Sequence, residues 1–316
     1  MKNHWNKSQK HTFKRGILML DLEGMSTEQR NNKTQELDTM SLYDALVTMN
    51  EEDAQVAGAI KKELPQIEKV VKAVIESFKK DGRLIYMGAG TSGRLGLLDA
   101  VECPPTFGTS PEQVVGLIAG GEGAFIKAVE GAEDSETLGV DDLKQIGLTS
   151  KDIVIGIAAS GRTPYVIAGL QYAKQLGCAT AAVACNKDSL IGGHADMAIE
   201  VVPGPEVLTG STRLKAGTAQ KMVLNMISTL SMVGVGKVYK NLMVDVQQTN
   251  QKLETRAENI IMNATEVDRI TAKDALIEAK GSVKLAIVMI LLGCDAGRAS
   301  EKLKAAQGHI RKAINE

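Results

Sequence analysis

The chain runs to 316 residues, room for one large domain plus a small one, and its 44% hydrophobic content is ordinary for a protein with a substantial core. Its 37 basic residues balance 38 acidic ones and aromatics make up only 3%, so neither the charge footprint nor the stacking platforms of a nucleic-acid binder are present. Cys103, Cys178, Cys185 and Cys294 lack C-x-x-C or metal-ligand spacing and read as buried thiols of a reducing compartment, with no metal expected.

Residues 1–25 read as a basic leader whose apolar run, ILML, is too short for a signal-peptide core; a disordered or non-native leader is the simpler reading, and Met19 or Met25 could serve as an alternative start. No segment has the length and apolarity to span a bilayer, so a cytoplasmic protein with no membrane partner is expected. Residues 26–60 form a polar N-terminal helical segment with one apolar stripe. A long amphipathic helix, kinked or broken at Pro65, carries Ile67, Val70, Val71, Val74, Ile75 and Phe78 at helical spacing and stops at Asp81-Gly82.

From Leu84 the period changes. The short apolar runs LIYM, VVGLIA, IVIGIAA and TAAVA alternate with helical stretches, and Met197–Val202 suggests a fifth strand. This pattern predicts an α/β fold: a doubly wound parallel sheet flanked by helices, over residues 61–248, with ligands at the carboxyl ends of the strands. A long helix is expected from about Ser211, capped by Ser211 or Thr212. Residues 249–316 read as a small helical module punctuated by Gly281, Gly293 and Gly308; the apolar content at Val283, Ile287, Val288, Ile290, Leu291 and Leu292 demands burial.

Two strand–turn–helix units carry the chemistry. The first, LIYMGAGTSGR, places Gly88, Gly90 and Gly93 in G-x-G-x-x-G spacing with Thr91 and Ser92 inside the turn. A dinucleotide site would also need an acidic residue ending the next strand, whereas Glu112 precedes that strand. The second, IAASGRTP, offers Ser160, Gly161 and Thr163, with Pro164 suited to the first helical turn. Hydroxyls and helix-terminal amides at neighbouring strand ends suit a single phosphomonoester, although either turn alone could be an ordinary N-cap.

GAGTSGR and ASGRTP resemble the sugar isomerase (SIS) domain. Together with TEQRN, MNEEDAQV, ECPPTFG, VEGAEDS and GSTRLKAGTAQKMVLNMIST, they resemble the N-acetylmuramic acid 6-phosphate etherase family, related to the glucokinase regulatory protein, from about Leu20 to the C-terminus. Asn32, where that family often has proline, is a small departure in a loop. The tail resembles a three-helix, ubiquitin-associated type of fold. The resemblance implies a phosphosugar substrate, no cofactor, a homodimer and a lyase that releases D-lactate from the sugar. It also implies catalytic roles for Glu102, expected in a turn stiffened by Pro104 and Pro105, and Glu133, expected at the end of the second helix.

In the open-chain sugar the C2 proton is acidic and the C3 ether oxygen is a β leaving group. The reaction needs a base at C2, the role favoured for Glu133, and an acid at the C3 oxygen, the role favoured for Glu102. Gly90, Thr91, Ser92, Ser160, Gly161 and Thr163 are the candidate phosphosugar ligands, with Lys215 or Arg213 reaching the phosphate or the carbonyl. Glu130 and Asp134 read as solvated, and His194 as a loop residue. A non-catalytic phosphosugar-binding regulator and an aldose–ketose isomerase stay open beside the lyase.

Overall fold

The computed structural model describes residues 24–246 and 251–315, so the leader expectation and the module boundary near Thr249 lie almost wholly outside it. Three helices come first: α1 (Leu42–Asp53), α2 (Gln55–Lys61) and α3 (Leu64–Lys79), the last with Pro65 in its first turn. The expected break is therefore a helix start, where proline's missing N–H costs nothing.

The central unit alternates β1 (Leu84–Gly88), α4 (Gly90–Phe107), β2 (Val114–Ile118), α5 (Leu138–Gln145), β3 (Ile153–Ala158), α6 (Pro164–Gln175), β4 (Ala179–Ala184), α7 (Leu190–His194), β5 (Met197–Glu200) and α8 (Lys215–Gly234). The five strands are parallel in the order β2-β1-β3-β4-β5. Every residue of β1 and β3 is buried, as central strands covered on both faces require. Successive side chains serve opposite layers. Leu84, Tyr86, Ile153 and Ile155 pack under α3, α4 and α8, whereas Ile85, Met87 and Val154 pack with Leu143 of α5 and Tyr165, Val166 and Leu170 of α6.

A two-stranded hairpin, β6 (Val238–Tyr239) with β7 (Leu242–Met243), leads to α9 (Gln251–Thr265), α10 (Arg269–Glu278), α11 (Val283–Leu292), α12 (Ala296–Ala305) and α13 (Ile310–Asn315). These helices share a separate core in which Val283, Ile287 and Val288 are buried as expected, while Leu291 remains 37% exposed.

Three local expectations are corrected. Pro104 and Pro105 lie inside α4, not in a turn after it, so Glu102 is helical. Proline's fixed φ is compatible with a helix. The last turn persists because Phe107 is buried and Gly108, left-handed at φ 60, donates its N–H to the Pro104 carbonyl. Glu133 lies in a turn-rich stretch between a 3-10 turn (Glu122–Phe125) and α5, not at a helix end. Helix α8 begins at Lys215: the buried Glu206 carboxylate accepts from the Lys215 N–H (3.0 Å) and the Ala216 N–H (2.9 Å), doing from a distance what Ser211 or Thr212 was expected to do.

Candidate active site

In a sheet of this order the chain reverses direction between β1 and β3, and the crevice above their carboxyl ends is where ligands bind. Two cavities of about 240 Å³ each open there. The first is lined by Gly90 and Arg94 of α4 and by Val129, Glu130 and Glu133. The second is lined by Met25, Glu28, Glu133, Asp134, Ser160, Arg162 and Thr163. Glu133 belongs to both.

The turn after β3 is held in place by several hydrogen bonds and lines the second cavity. Ser160 accepts the Arg162 N–H at 3.3 Å, which leaves its own hydroxyl hydrogen to donate. Asn186 clamps the strand end from below, its amide donating to the carbonyls of Ala159 (3.2 Å) and Ser160 (3.3 Å). Thr163 is the residue preceding α6, and Pro164 occupies the first helical position. Tyr165, next in the helix, donates its N–H to the Glu133 carbonyl at 3.0 Å. The acid-bearing turn is thereby held against the mouth of α6.

The turn after β1 is used differently. Helix α4 runs back along β1, with Gly93 against the Gly88 carbonyl, Gly96 against Tyr86, and Asp99 accepting the Tyr86 hydroxyl at 3.0 Å. A Cβ on Gly93 would stand 2.6 Å from the Gly88 oxygen, so the close approach requires glycine. Gly90 and Arg94 face the first cavity. Arg94 also donates to the carbonyls of Phe125 and Ala124, each at 2.8 Å, and so holds the cavity's far wall. Ser92 turns the other way: it is buried, and its hydroxyl donates to Gln220 Oε1 at 2.9 Å. Thr91 likewise faces α8, beside Gly217. The expectation of an open Ser92 hydroxyl is corrected on this ground, since its side chain packs between helices.

Lys215 is also displaced from its expected place. It is 1% exposed, and its ammonium lies 2.6 Å from Glu52 Oε2. Burial pushes the Glu52 carboxyl up, but hydrogen bonds from Lys215, Asn31 and Lys33 outweigh it and leave the pKa lowered. Arg213 is exposed, and His194 contacts Gln171 at 3.2 Å away from both cavities. Glu28, for which the sequence offered no role beyond its TEQRN setting, lies in the second cavity. Its spacing from Ser160, 132 positions along the chain, carries no local signal.

Glu102 joins neither cavity. It is exposed on α4, 12 residues past Gly90, and a rise of 1.5 Å per residue puts it roughly 18 Å along the axis from the strand-end crevice. Among the described residues no cluster of three or more His, Cys, Asp or Glu is arranged to hold a metal ion, and no helix is long and apolar enough to cross a membrane.

Residues 66–174 match the glucokinase regulatory protein N-terminal SIS domain, and residues 144–230 match the SIS domain. A phosphoheptose isomerase structure from Francisella tularensis is similar at 16% identity and TM-score 0.48, covering 61% of this chain and all of that one. Over 293 residues the chain is 66% identical to an N-acetylmuramic acid 6-phosphate etherase of Geobacillus sp. (strain WCH70), covering 93% of this chain and 99% of that protein. It is 63% identical over 293 residues to a protein of the same name from Bacillus cereus (strain G9842), covering 93% of this chain and 100% of that protein. At such identity over nearly the full length of both proteins, the chain belongs to the N-acetylmuramic acid 6-phosphate etherase family.

Proposed function

We propose that this protein is a carbon–oxygen lyase that cleaves the D-lactyl ether of N-acetylmuramic acid 6-phosphate, giving N-acetylglucosamine 6-phosphate and D-lactate. The observation that carries the reading is Glu133, held by Tyr165 between two strand-end cavities and beside the Ser160 and Thr163 hydroxyls. In this arrangement the phosphate of the open-chain sugar takes the Ser160 and Thr163 hydroxyls and the Gly161 turn. Gly90 and Arg94 line the opposite wall. Glu133 removes the proton from C2, and the electron pair moves through the C1 carbonyl. The C3–O bond then breaks as an acid delivers a proton to the departing lactate oxygen. Water adds at C3 of the unsaturated aldehyde, and C2 is reprotonated.

The acid is Glu102, supplied by a second copy of the chain. Beside it on α4 stand Leu98 (44% exposed) and Val101 (61%), with Phe125 (46%) close by in a shared apolar hollow. Such a patch favours association. A two-fold homodimer formed over it buries both copies of α4 and carries each Glu102 away from its own chain's surface toward its partner's crevice. The reaction fits a cytoplasmic role in cell-wall amino sugar catabolism and peptidoglycan recycling.

Incubation with N-acetylmuramic acid 6-phosphate should release D-lactate, and in D₂O the sugar product should carry deuterium at C2. In H₂¹⁸O the heavy oxygen should enter the sugar at C3. Label in lactate with protium kept at C2 would overturn elimination.

A further inference from the structure

The cavity holding Ser160 and Thr163 contains more acid than phosphate binding calls for. Glu28, Glu133 and Asp134 line it against a single cation, Arg162. A carboxylate near a phosphate is repulsive, so each acid in this cavity needs a use. Glu133 has one in the C2 proton, and Asp134 is exposed beside it. Glu28 has none so far.

Its setting is unusually firm for a residue outside the central sheet unit. Glu28 donates its N–H to the Met25 carbonyl at 3.0 Å. On one side Thr27 exchanges two hydrogen bonds with Asn186, at 3.3 and 3.1 Å. Asn186 is the same residue that clamps Ser160, so strap and phosphate turn are one unit. On the other side Asn31 donates to Glu52 (2.9 Å) and to the Pro205 carbonyl (3.1 Å). These bonds hold the backbone; the carboxylate itself stays uncommitted. Its one side-chain hydrogen bond is a long one from the Thr27 hydroxyl at 3.4 Å, and among the described residues it makes no ion pair. Gly210, at φ +76, closes over it so tightly that a Cβ there would lie 3.3 Å from Glu28 Oε2.

A half-buried carboxylate with no cation partner can only accept hydrogen bonds. In this cavity the donors that would meet it are those of the ligand. We propose that Glu28 contacts the substrate, accepting hydrogen bonds from hydroxyl groups of the sugar while Ser160 and Thr163 take its phosphate. The proposal rests on the phosphosugar reading above. Glu28 thereby favours a polyhydroxylated phosphate ester over bare phosphate, offsetting its repulsion of the anion with contacts that only the sugar can make.

Calorimetric titration with N-acetylglucosamine 6-phosphate and, separately, inorganic phosphate tests this on the full chain. Glu28→Ala should weaken the sugar phosphate roughly ten- to hundredfold, the usual consequence of losing hydrogen bonds to a charged group. Inorganic phosphate should bind as well as to the parent or tighter, because a negative charge has left the cavity. Glu28→Gln, which keeps one acceptor oxygen, should fall between alanine and the parent for the sugar phosphate. Equal losses for both ligands, with a lowered unfolding midpoint, would make Glu28 a structural strap residue and overturn the proposal. Unchanged sugar-phosphate affinity would overturn it too. If the parent protein binds phosphate but no sugar phosphate, the functional reading falls first and the role of Glu28 with it.

Discussion

The Tyr165 N–H donates to the Glu133 carbonyl at 3.0 Å, joining the first turn of α6 to the turn that carries the candidate base. One helix thus orders both the cavity-lining hydroxyls of Ser160 and Thr163 before it and the turn of the carboxylate beside it. Glu133→Gln preserves this backbone bond and removes only the base. Turnover should fall roughly 10²- to 10⁴-fold, and deuterium uptake at C2 should fall with it. Near-parent lactate release from this variant would remove Glu133 from the mechanism.

Ser160→Ala deletes a hydroxyl donor and leaves the Asn186 clamp on the Ser160 carbonyl intact. The KM for the phosphorylated sugar should rise about tenfold, in line with one lost hydrogen bond to a charged group. Unphosphorylated N-acetylmuramic acid should be a very poor substrate for the parent. Equal kcat/KM on the two sugars would dissolve the phosphate assignment.

Subunit mixing addresses Glu102. Glu102→Gln and Glu133→Gln should each be inactive alone. If each site takes one residue from each chain, the mixed dimer contains one intact site and one doubly altered site. With random two-fold pairing, about a quarter of parental activity should return. No recovery, with exchange of subunits verified by mass, would place both glutamates in one chain or Glu102 outside the site.

The Lys215–Glu52 pair makes a stability prediction. Both side chains are buried, so Lys215→Met leaves the Glu52 carboxylate with Asn31, Gln55 and the half-exposed Lys33 in place of its buried cation. Urea unfolding at neutral pH should show a loss of about 3–5 kcal/mol. Adding Glu52→Leu should recover part of it. A Lys215→Met variant as stable as the parent would show that the pair contributes nothing to stability.

Asp152 sets an acid limit. It is buried at the amino ends of β1 and β3. Burial pushes its carboxyl up, yet the Arg83 guanidinium and the N–H groups of Thr149 and Arg83 outweigh that and hold it below its ordinary value of 3.8. A depressed carboxylate contributes stability that is present above the unfolded pKa and is lost as pH falls through the folded one. Asp152→Asn should therefore lower stability at pH 7 and flatten the pH dependence below about pH 4. Parallel stability curves for parent and variant through that range would contradict the assignment.

Much of the site was legible because it is local. The strand runs, the glycine turn and Ser160-Gly161-Arg162-Thr163-Pro164 are short patterns whose backbone geometry follows from neighbouring residues. Glu133 could be singled out by family likeness, but its turn could not be told from a helix end, because three glycines upstream and Gly131 leave the stretch without a period. Pro104 and Pro105 misled for the opposite reason: a strong local breaker was overridden by Phe107 burial and the Gly108 cap.

Sequence alone settled the parallel sheet, since β1 and β3 are buried on both faces and their residues must be apolar throughout. It also placed the two glycine- and hydroxyl-bearing turns at strand ends, because glycine, hydroxyls and proline there answer backbone demands within a few residues. Tertiary structure decided which hydroxyls are available: Ser92 and Thr91 are adjacent to Gly90 in the chain, yet helical rotation turns them toward α8 and away from the cavity. It decided that Lys215 pairs with Glu52, 163 positions away, and that Glu28 shares a cavity with Ser160. Side-chain partners at such separations depend on how helices and straps pack over the sheet, and no local spacing encodes that.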